Sequence, residues 1–358
     1  MLIFIIFLMG KEGKRIMRHL VRAKAPLRIS FCGGGTDVSP YLEERGGVVL
    51  STTIDRYAYA TVRPKRGSGL TVRSLDYGIV VFHDDIRKRL PYDGNLDLAK
   101  AAINRMNIRK GGSGMEMYIH ADAPPGSGLG SSSTLVVALL SALSRWKRTP
   151  MTGYELAEMA FQVERTDLGI RGGKQDQFSA AFGGLNFIEF SRDSTIVNPL
   201  RLPQETLNEL EYNLLLCNIG GTRLSGGIIE KQVKNYVDGK TGVLSAMDEL
   251  KQLTIAMKNS LLRGKVHDFG SYLHQAWENK KRMANAISSP RIDEIYELAR
   301  KKGALGGKIT GAGGGGHMLF YCPFDKKHRV REAVEKHGVV SIPFHFEPFG
   351  CQSWEVSS

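Results

Sequence analysis

The run Pro124-Pro125-Gly126-Ser127-Gly128-Leu129-Gly130-Ser131-Ser132-Ser133 constrains this chain more than any other stretch. Its glycines allow backbone angles closed to other residues and let a ligand approach the main chain. The run follows Met115 to His120, whose alternation reads as a strand. It leads into Ser131 to Trp146, which is apolar all round and reads as a buried helix. A glycine turn between a strand and a buried helix places free N–H groups and the positive end of a helix dipole together, which is a phosphate site. Serine hydroxyls there can donate to phosphate oxygens or ligate Mg²⁺. A plain flexible loop with a serine cap accounts for the run less well.

Two common nucleotide patterns do not fit. The P-loop needs G-x-x-x-x-G-K-[ST]; Gly239-Lys240-Thr241 has its ending, but Lys234 stands where the first glycine belongs. The dinucleotide pattern would need glycine at Ser131 and an acidic residue after a second strand. A second cluster, Lys308 to His317, holds five glycines in the six positions from Gly311 to Gly316. That density costs conformational entropy beyond what a tight turn needs, and it reads as a second phosphate-contacting turn.

Between the clusters stand Glu164 and Asp176. Glu164 ends a helix over Thr152 to Thr166, with Thr152 as N-cap and Glu155 in the capping-box position. Asp176 lies in Gly172-Gly173-Lys174-Gln175-Asp176-Gln177. Phosphoryl transfer uses one carboxylate for a metal and often another for a hydroxyl proton. Alone, each reads as a surface carboxylate; the glycine pair and Lys174 beside Asp176 favour a site.

The chain of 358 residues suits one large domain or two packed ones. Its net charge of +13 is dispersed apart from short runs such as Arg87-Lys88-Arg89, without zinc-finger spacing or an aromatic–basic RNA signature. Small anionic ligands explain that charge better than nucleic acid. Cys32, Cys217, Cys322 and Cys351 form no C-x-x-C pair and read as reduced thiols of a cytoplasmic protein. Met1 to Met9 is apolar but too short to span a bilayer, and its charges follow it in Lys11 to Arg18. It reads as an over-extended start with Met17 as the natural initiator; a short interfacial anchor is the rival.

Patterning predicts strands at Leu27–Phe31, Val48–Val62, Leu70–Val72, Ile79–Phe82, Leu185–Phe190, Tyr212–Ile219, Gly306–Thr310 and Gly316–Tyr321, with further strands towards Trp354. Helices are expected at Leu96–Met106, Pro290–Lys302 and Lys326–His337, and from about Ile228 to Ile287 with breaks near Gly239 and Gly264. Ser191 to Glu211, with Pro199 and Pro203, shows little periodicity and reads as a domain junction.

Three ordered motifs make the chain similar to the GHMP kinases, named for galactokinase, homoserine kinase, mevalonate kinase and phosphomevalonate kinase. The first is Ala25-Pro26-Leu27-Arg28-Ile29-Ser30-Phe31 with Gly33-Gly34-Gly35-Thr36-Asp37; the others are the Pro-x-x-x-Gly-Leu-Gly-Ser-Ser loop and Thr310 to Gly316. The resemblance runs from about Arg22 to Trp354. Within the family, the Arg28-to-Asp37 and Gly172-to-Gln177 strings resemble the bacterial sugar-1-kinases that act on D-glycero-D-manno-heptose 7-phosphate. Galactokinases instead carry Gly-Glu-His before the Thr-Asp.

The resemblance implies a two-domain α+β fold. Residues 1–21 would be an extension, 22–200 an ATP-binding mixed α/β domain with a left-handed crossover, and 201–358 a ferredoxin-like domain. ATP would lie on Pro125, Gly126, Ser127, Gly128, Leu129, Gly130, Ser131, Ser132 and Ser133, and on Gly313 and Gly314. Ser132 and Glu164 would hold Mg²⁺. Asp176 would take the proton of the sugar hydroxyl, with Arg28 near the reacting phosphate and Lys174 close by. Gly34, Gly35, Thr36 and Asp37 would bind the sugar, and Arg171 and Arg223 a distal phosphate.

The implied reaction is ATP-dependent phosphorylation of the anomeric hydroxyl of a heptose 7-phosphate to the 1,7-bisphosphate, serving nucleotide-activated heptose and surface polysaccharide synthesis. A fuco- or galactokinase-type sugar-1-kinase and a non-catalytic sensor of the same fold are the alternatives. The expected partners are ATP and a sugar phosphate, with no nucleic acid or membrane, and a homodimer is left open.

Overall fold

The computed structural model describes residues 20–108, 114–221 and 225–356. The apolar segment Met1 to Met9 and Met17 lie outside them. The chain begins β1 (Leu20–Cys32), α1 (Tyr41–Arg45), β2 (Gly47–Lys65), β3 (Leu70–Ser74), β4 (Val80–His83), α2 (Asp97–Arg105), β5 (Gly114–Ala121) and α3 (Ser131–Lys147). It continues through α4 (Gly153–Gln162), α5 (Gln175–Phe182), β6 (Leu185–Phe190), β7 (Thr195–Pro199), α6 (Gln204–Asn213) and β8 (Leu214–Gly220). Then come α7 (Ser225–Val237), α8 (Val243–Leu262), α9 (Phe269–Met283) and α10 (Pro290–Lys302). The last elements are β9 (Gly306–Ile309), β10 (Gly316–Tyr321), α11 (Lys327–Glu335), β11 (Val340–Ile342) and β12 (Gln352–Val356).

Local signals set the ends of several elements. Thr152 and Glu155 form the expected capping box on α4: the Glu155 N–H donates to Thr152 Oγ1 at 3.2 Å, and the Thr152 N–H donates to Glu155 Oε2 at 2.7 Å. Gly239 and Gly264, with φ of +64° and +71°, follow α7 and α8. Strand β2 is longer than expected because different partners pair along it. It runs beside β1, with β6 at Gly47–Thr52 and β5 at Ala58–Lys65.

The larger sheet has the order β12-β1-β2-β5-β3-β4, with β6 and β7 attached beside the first half of β2. Its pairs are antiparallel except β3 with β5, between which the chain passes through β4 and α2. Helix α3 buries Val136, Val137, Leu139, Leu140 and Leu143 in a core shared with Ala23, Ala60 and Met117 of this sheet. The smaller sheet is antiparallel in the order β11-β8-β10-β9. Counted along the chain, that is fourth-first-third-second, the ferredoxin-like order, with α7 to α10 inserted after its first strand.

One core joins the two halves: Leu27, Ile29 and Phe31 from β1 pack with Leu216, Met257, Trp277 and Phe320. Each such side chain contributes roughly 1.5–3 kcal/mol by burial, so the halves are firmly docked. The stretch Ser191 to Glu211 is more ordered than its sequence suggests, since it holds β7 and α6. β7 is a five-residue strand paired only with β6, too short to show periodicity. The chain changes sheets between β7 and β8, and β12 then returns to pair with β1. Among the described residues no helix is long and apolar enough to cross a membrane.

Candidate active site

A cleft of about 470 Å³ opens where the glycine turns converge. Its walls include Pro125, Gly126, Gly128, Gly130 and Ser131 to Ser133 on one side, and Gly34, Gly35 and Asp37 on another. Glu164, Arg171, Gln175, Asp176, Gly311, Ala312, Gly313 and Gly315 also line it.

The first loop has the strained geometry that its glycines permit. Gly126, Gly128 and Gly130 have φ of +78°, +83° and +78°. Helix α3 begins at the next residue, so its first N–H groups lie at the cleft and favour an anion. The second cluster is packed onto this loop. A Cβ on Gly311 would stand 2.6 Å from Gly128 Cα, and one on Gly316 would stand 2.4 Å from Ser127 O. Thr310 Oγ1 donates to Gly128 O at 2.9 Å. The His317 N–H donates to Ser127 O at 3.0 Å, and His317 Nδ1 lies 2.7 Å from the same oxygen. A carbonyl can only accept, so Nδ1 carries a proton, while burial pushes the imidazole's proton affinity down against the pull of that hydrogen bond. Close backbone packing thus explains the glycine density that phosphate contact alone was expected to explain.

Arg28 ties the site together. Its side chain is buried, and its Nε and Nη2 each lie 2.7 Å from Asp176 Oδ1. Nη1 donates to Gly128 O at 2.6 Å and to Thr310 O at 3.3 Å. One planar guanidinium therefore sets Asp176 against both glycine loops. Asp176 lies in the first turn of α5, where a negative charge suits the helix dipole, and is about a quarter exposed. Both guanidinium contacts fall on Oδ1, so the accepting capacity of Oδ2 is not used by Arg28.

Glu164 lies in a short π-helical turn, Val163–Asp167, that continues α4. It is buried, accepts from Gln177 Nε2, and stands 3.7 Å from Arg165 Nη1. Burial pushes its carboxyl up, against the opposing pull of Arg165, Ser133 and Gln177. A desolvated carboxylate beside a hydroxyl and a phosphate cradle is a fitting donor set for Mg²⁺, which takes few protein ligands and completes its shell with phosphate oxygens and water. Among the described residues no group of three or more His, Cys, Asp or Glu could hold a metal by itself.

Other expected site residues are placed differently. Asp37 is fully buried and accepts from the Gly35 N–H at 2.9 Å and the Gln175 N–H at 3.0 Å. It clasps the two Gly-Gly turns together while lining the cleft. Thr36 does not line it: its hydroxyl is held by Gly33 O and by the backbone of Val48. Lys174 turns away. Its ammonium is 3.8 Å from Glu158 and 5.1 Å from the Phe161 ring centroid, an ion pair and a cation–π contact outside the cleft. Ser127 and Leu129 are buried beneath the loop, and Leu129 belongs to the core. Arg171 lines the cleft, and Arg223 lies outside the described residues.

Sequence reasoning missed Lys280 on α9 and Gln232 on α7, both of which line the cleft. It also missed a neighbouring slot of about 360 Å³ that shares Pro125, Ser131 and Ser132 and is walled by Tyr77, Leu96, Leu98, Leu135 and Ile170. An apolar slot beside a phosphate loop suits a flat aromatic base. Leu96 holds φ of +54° as the N-cap of α2, an uncommon angle for leucine and the nearest thing to a local signal.

Residues 97–184 match the model described as GHMP kinases N terminal domain, and residues 257–340 match GHMP kinases C terminal. The D-glycero-alpha-D-manno-heptose 7-phosphate kinase of Campylobacter jejuni is 36% identical over 339 residues, 94% of this chain and 99% of that protein. The crystal structure of a D-glycero-D-manno-heptose 1-phosphate kinase from Bacteroides thetaiotaomicron matches with a TM-score of 0.79 at 34% identity, over 94% of this chain and 100% of that one. Lactococcus lactis galactokinase, solved with galactose, shares the fold at a TM-score of 0.73 and 19% identity, over 95% of this chain and 96% of that one.

Proposed function

Since the chain belongs to the GHMP kinases, a family of ATP- and Mg²⁺-dependent small-molecule kinases, and is itself a sugar kinase, we propose that it moves the γ-phosphoryl group of ATP to the anomeric hydroxyl of D-glycero-D-manno-heptose 7-phosphate. The observation that carries this reading is the Arg28–Asp176 pair. It is a carboxylate fixed at the phosphate cradle by a guanidinium that also grips the cradle's own carbonyl. The acceptor is taken from the Campylobacter jejuni relative, which matches along nearly its whole length.

In this reading the N–H groups of the Gly126–Ser133 loop and the start of α3 bind the phosphates. The base of ATP lies in the slot beside Leu96, Leu98 and Leu135. Ser132 and Glu164 would hold Mg²⁺, which when bound would supply charge neutralisation for phosphoryl transfer. Asp176 accepts the proton of the attacking hydroxyl, and Arg28 keeps the carboxylate in place. Gly34, Gly35 and Asp37 bound the sugar, and Arg171 meets its distal phosphate. ATP supply suits a cytoplasmic enzyme.

The test is a substrate screen with ATP and Mg²⁺, comparing heptose 7-phosphate, heptose 1-phosphate, mannose 6-phosphate, fucose and galactose by ADP release. Phosphorus and carbon NMR then locate the new phosphate. Heptose 1,7-bisphosphate from the 7-phosphate is the expected result. Preference for fucose or galactose would overturn the acceptor. Preference for the 1-phosphate, after which the Bacteroides thetaiotaomicron kinase is named, would overturn the position of transfer.

A further inference from the structure

Under the sugar side of the cleft lies a group of buried polar atoms with hydrogen-bonding capacity to spare. Lys280 is 5% exposed and lines the cleft. Its ammonium has three donors, yet among the described residues its hydrogen bond is a single long one, 3.4 Å to Gly34 O. Gln175 Oε1 and Ser30 Oγ are buried without a partner among the described residues. Both flank Gly34: a Cβ there would lie 3.1 Å from Gln175 Nε2 and 3.3 Å from Ser30 Oγ. Gln232 completes the group and donates to Gly35 O at 3.1 Å.

A second buried lysine provides a contrast. Lys308 Nζ donates to Ser30 O at 2.6 Å and to Ile309 O at 2.9 Å, so two carbonyls hold it and it braces the strands, although burial still pushes its ammonium well below the usual lysine range. Lys280 has no such arrangement. Leaving a buried ammonium and a buried amide oxygen underused is costly, and such groups persist where a ligand pairs them.

We propose that Lys280, Gln175 and Gln232 form the socket that selects the acceptor by a ring hydroxyl near the reacting carbon. This rests on the sugar-kinase reading of the cleft. A hydroxyl suits both orphaned groups at once, because it accepts from Lys280 Nζ and donates to Gln175 Oε1. A phosphate dianion has no proton to offer the amide oxygen, and Asp37 beside it would repel that charge. The position fits too: Gln175, Asp176 and Lys280 line the same cleft, and the charges of Asp37 and Asp176 act on Lys280, so a hydroxyl held there lies close to the one that loses its proton.

The test compares wild type with Lys280→Met, Lys280→Gln and Gln175→Leu, using heptose 7-phosphate and its 2-deoxy and 3-deoxy derivatives. Lys280→Met should lower kcat/KM for the full sugar by roughly 10- to 100-fold, the size expected for a hydrogen bond to a charged group, with KM for ATP unchanged. Lys280→Gln, which keeps a donor, should recover part of the loss. Against the derivative that lacks the bound hydroxyl, wild type and Lys280→Met should perform alike. No loss, or an equal loss against all three acceptors, would overturn the socket. If wild type prefers another sugar, the heptose assignment fails alone, and the same comparison with that sugar and its deoxy forms decides the socket.

Discussion

Replacing Gly311 with alanine tests whether the second glycine cluster works by supporting the first. Gly311 does not have a positive φ, so alanine fits its backbone angles and any effect comes from space. The new Cβ would stand 2.6 Å from Gly128 Cα and 3.1 Å from Gly128 O, against an ordinary contact of 3.4–4 Å. Both neighbours are backbone, so no side chain can swing aside, and the loop must shift by about 1 Å, a displacement that can cost on the order of 10²-fold in rate. The shift would also reach the chemistry. Gly128 O holds Arg28 Nη1 and Thr310 Oγ1, and Arg28 holds Asp176. Overpacking itself costs about 1–3 kcal/mol, which this protein's large core can absorb. Steady-state kinetics and a thermal melt on Gly311→Ala should show a folded protein, a modestly lower melting temperature, and kcat/KM for ATP reduced by about 10²-fold. Kinetic constants within about twofold of wild type would refute the reasoning, because a displaced loop cannot leave both binding and turnover intact.

Asp176→Asn should lower kcat by about 10²–10⁴-fold while equilibrium titration still shows ATP binding; near-normal turnover rejects Asp176 as proton acceptor. Ser132→Ala should raise the Mg²⁺ concentration needed for half-maximal rate, and an unchanged Mg²⁺ dependence rejects its metal role. Burial raises the Glu164 carboxyl, so the cost of its charge to the fold is absent below the usual carboxylate range and grows until pH passes its raised value. Glu164→Gln should therefore melt above wild type near neutral pH without Mg²⁺ and gain less from Mg²⁺ with ATP; a lower melting temperature contradicts this. Burial likewise lowers Lys280 from 10.5 to about 8, with Asp37, Arg28, Cys32, Asp176 and Lys308 facing it. Its penalty is complete below about 8 and gone above about 10.5, so the melting advantage of Lys280→Met should shrink as pH rises through that window, and a constant difference would refute it.

Much of the site was legible because its chemistry is written in neighbouring residues. Gly126 to Ser133 announced a phosphate turn through glycine spacing, a preceding strand and a following apolar helix. Arg28, Asp37, Glu164 and Asp176 stood out once the motifs were seen in order, and the cleft gathers all four. Residues whose role depends on where a side chain points were not legible. Lys174 and Asp176 are two apart, yet only Asp176 enters the cleft, since Glu158 and Phe161 hold Lys174 elsewhere. Thr36 sits beside Asp37 but bonds to its own turn and to β2.

By itself, then, the sequence determined most element types, though not α5, β7 or α6, and it marked out the glycine turns, the candidate carboxylates and the two-part α+β plan, because propensity, capping and glycine freedom act over a few residues. Only the tertiary structure decided that Gly311 and Gly316 exist to touch Gly128 and Ser127, that β12 returns to β1, and that Lys280 and Gln232 reach the floor beneath Gly34 and Gly35. Those contacts join segments far apart in the chain. Their positions follow from how two sheets share one buried core, a balance summed over the whole molecule that no local pattern of residues records.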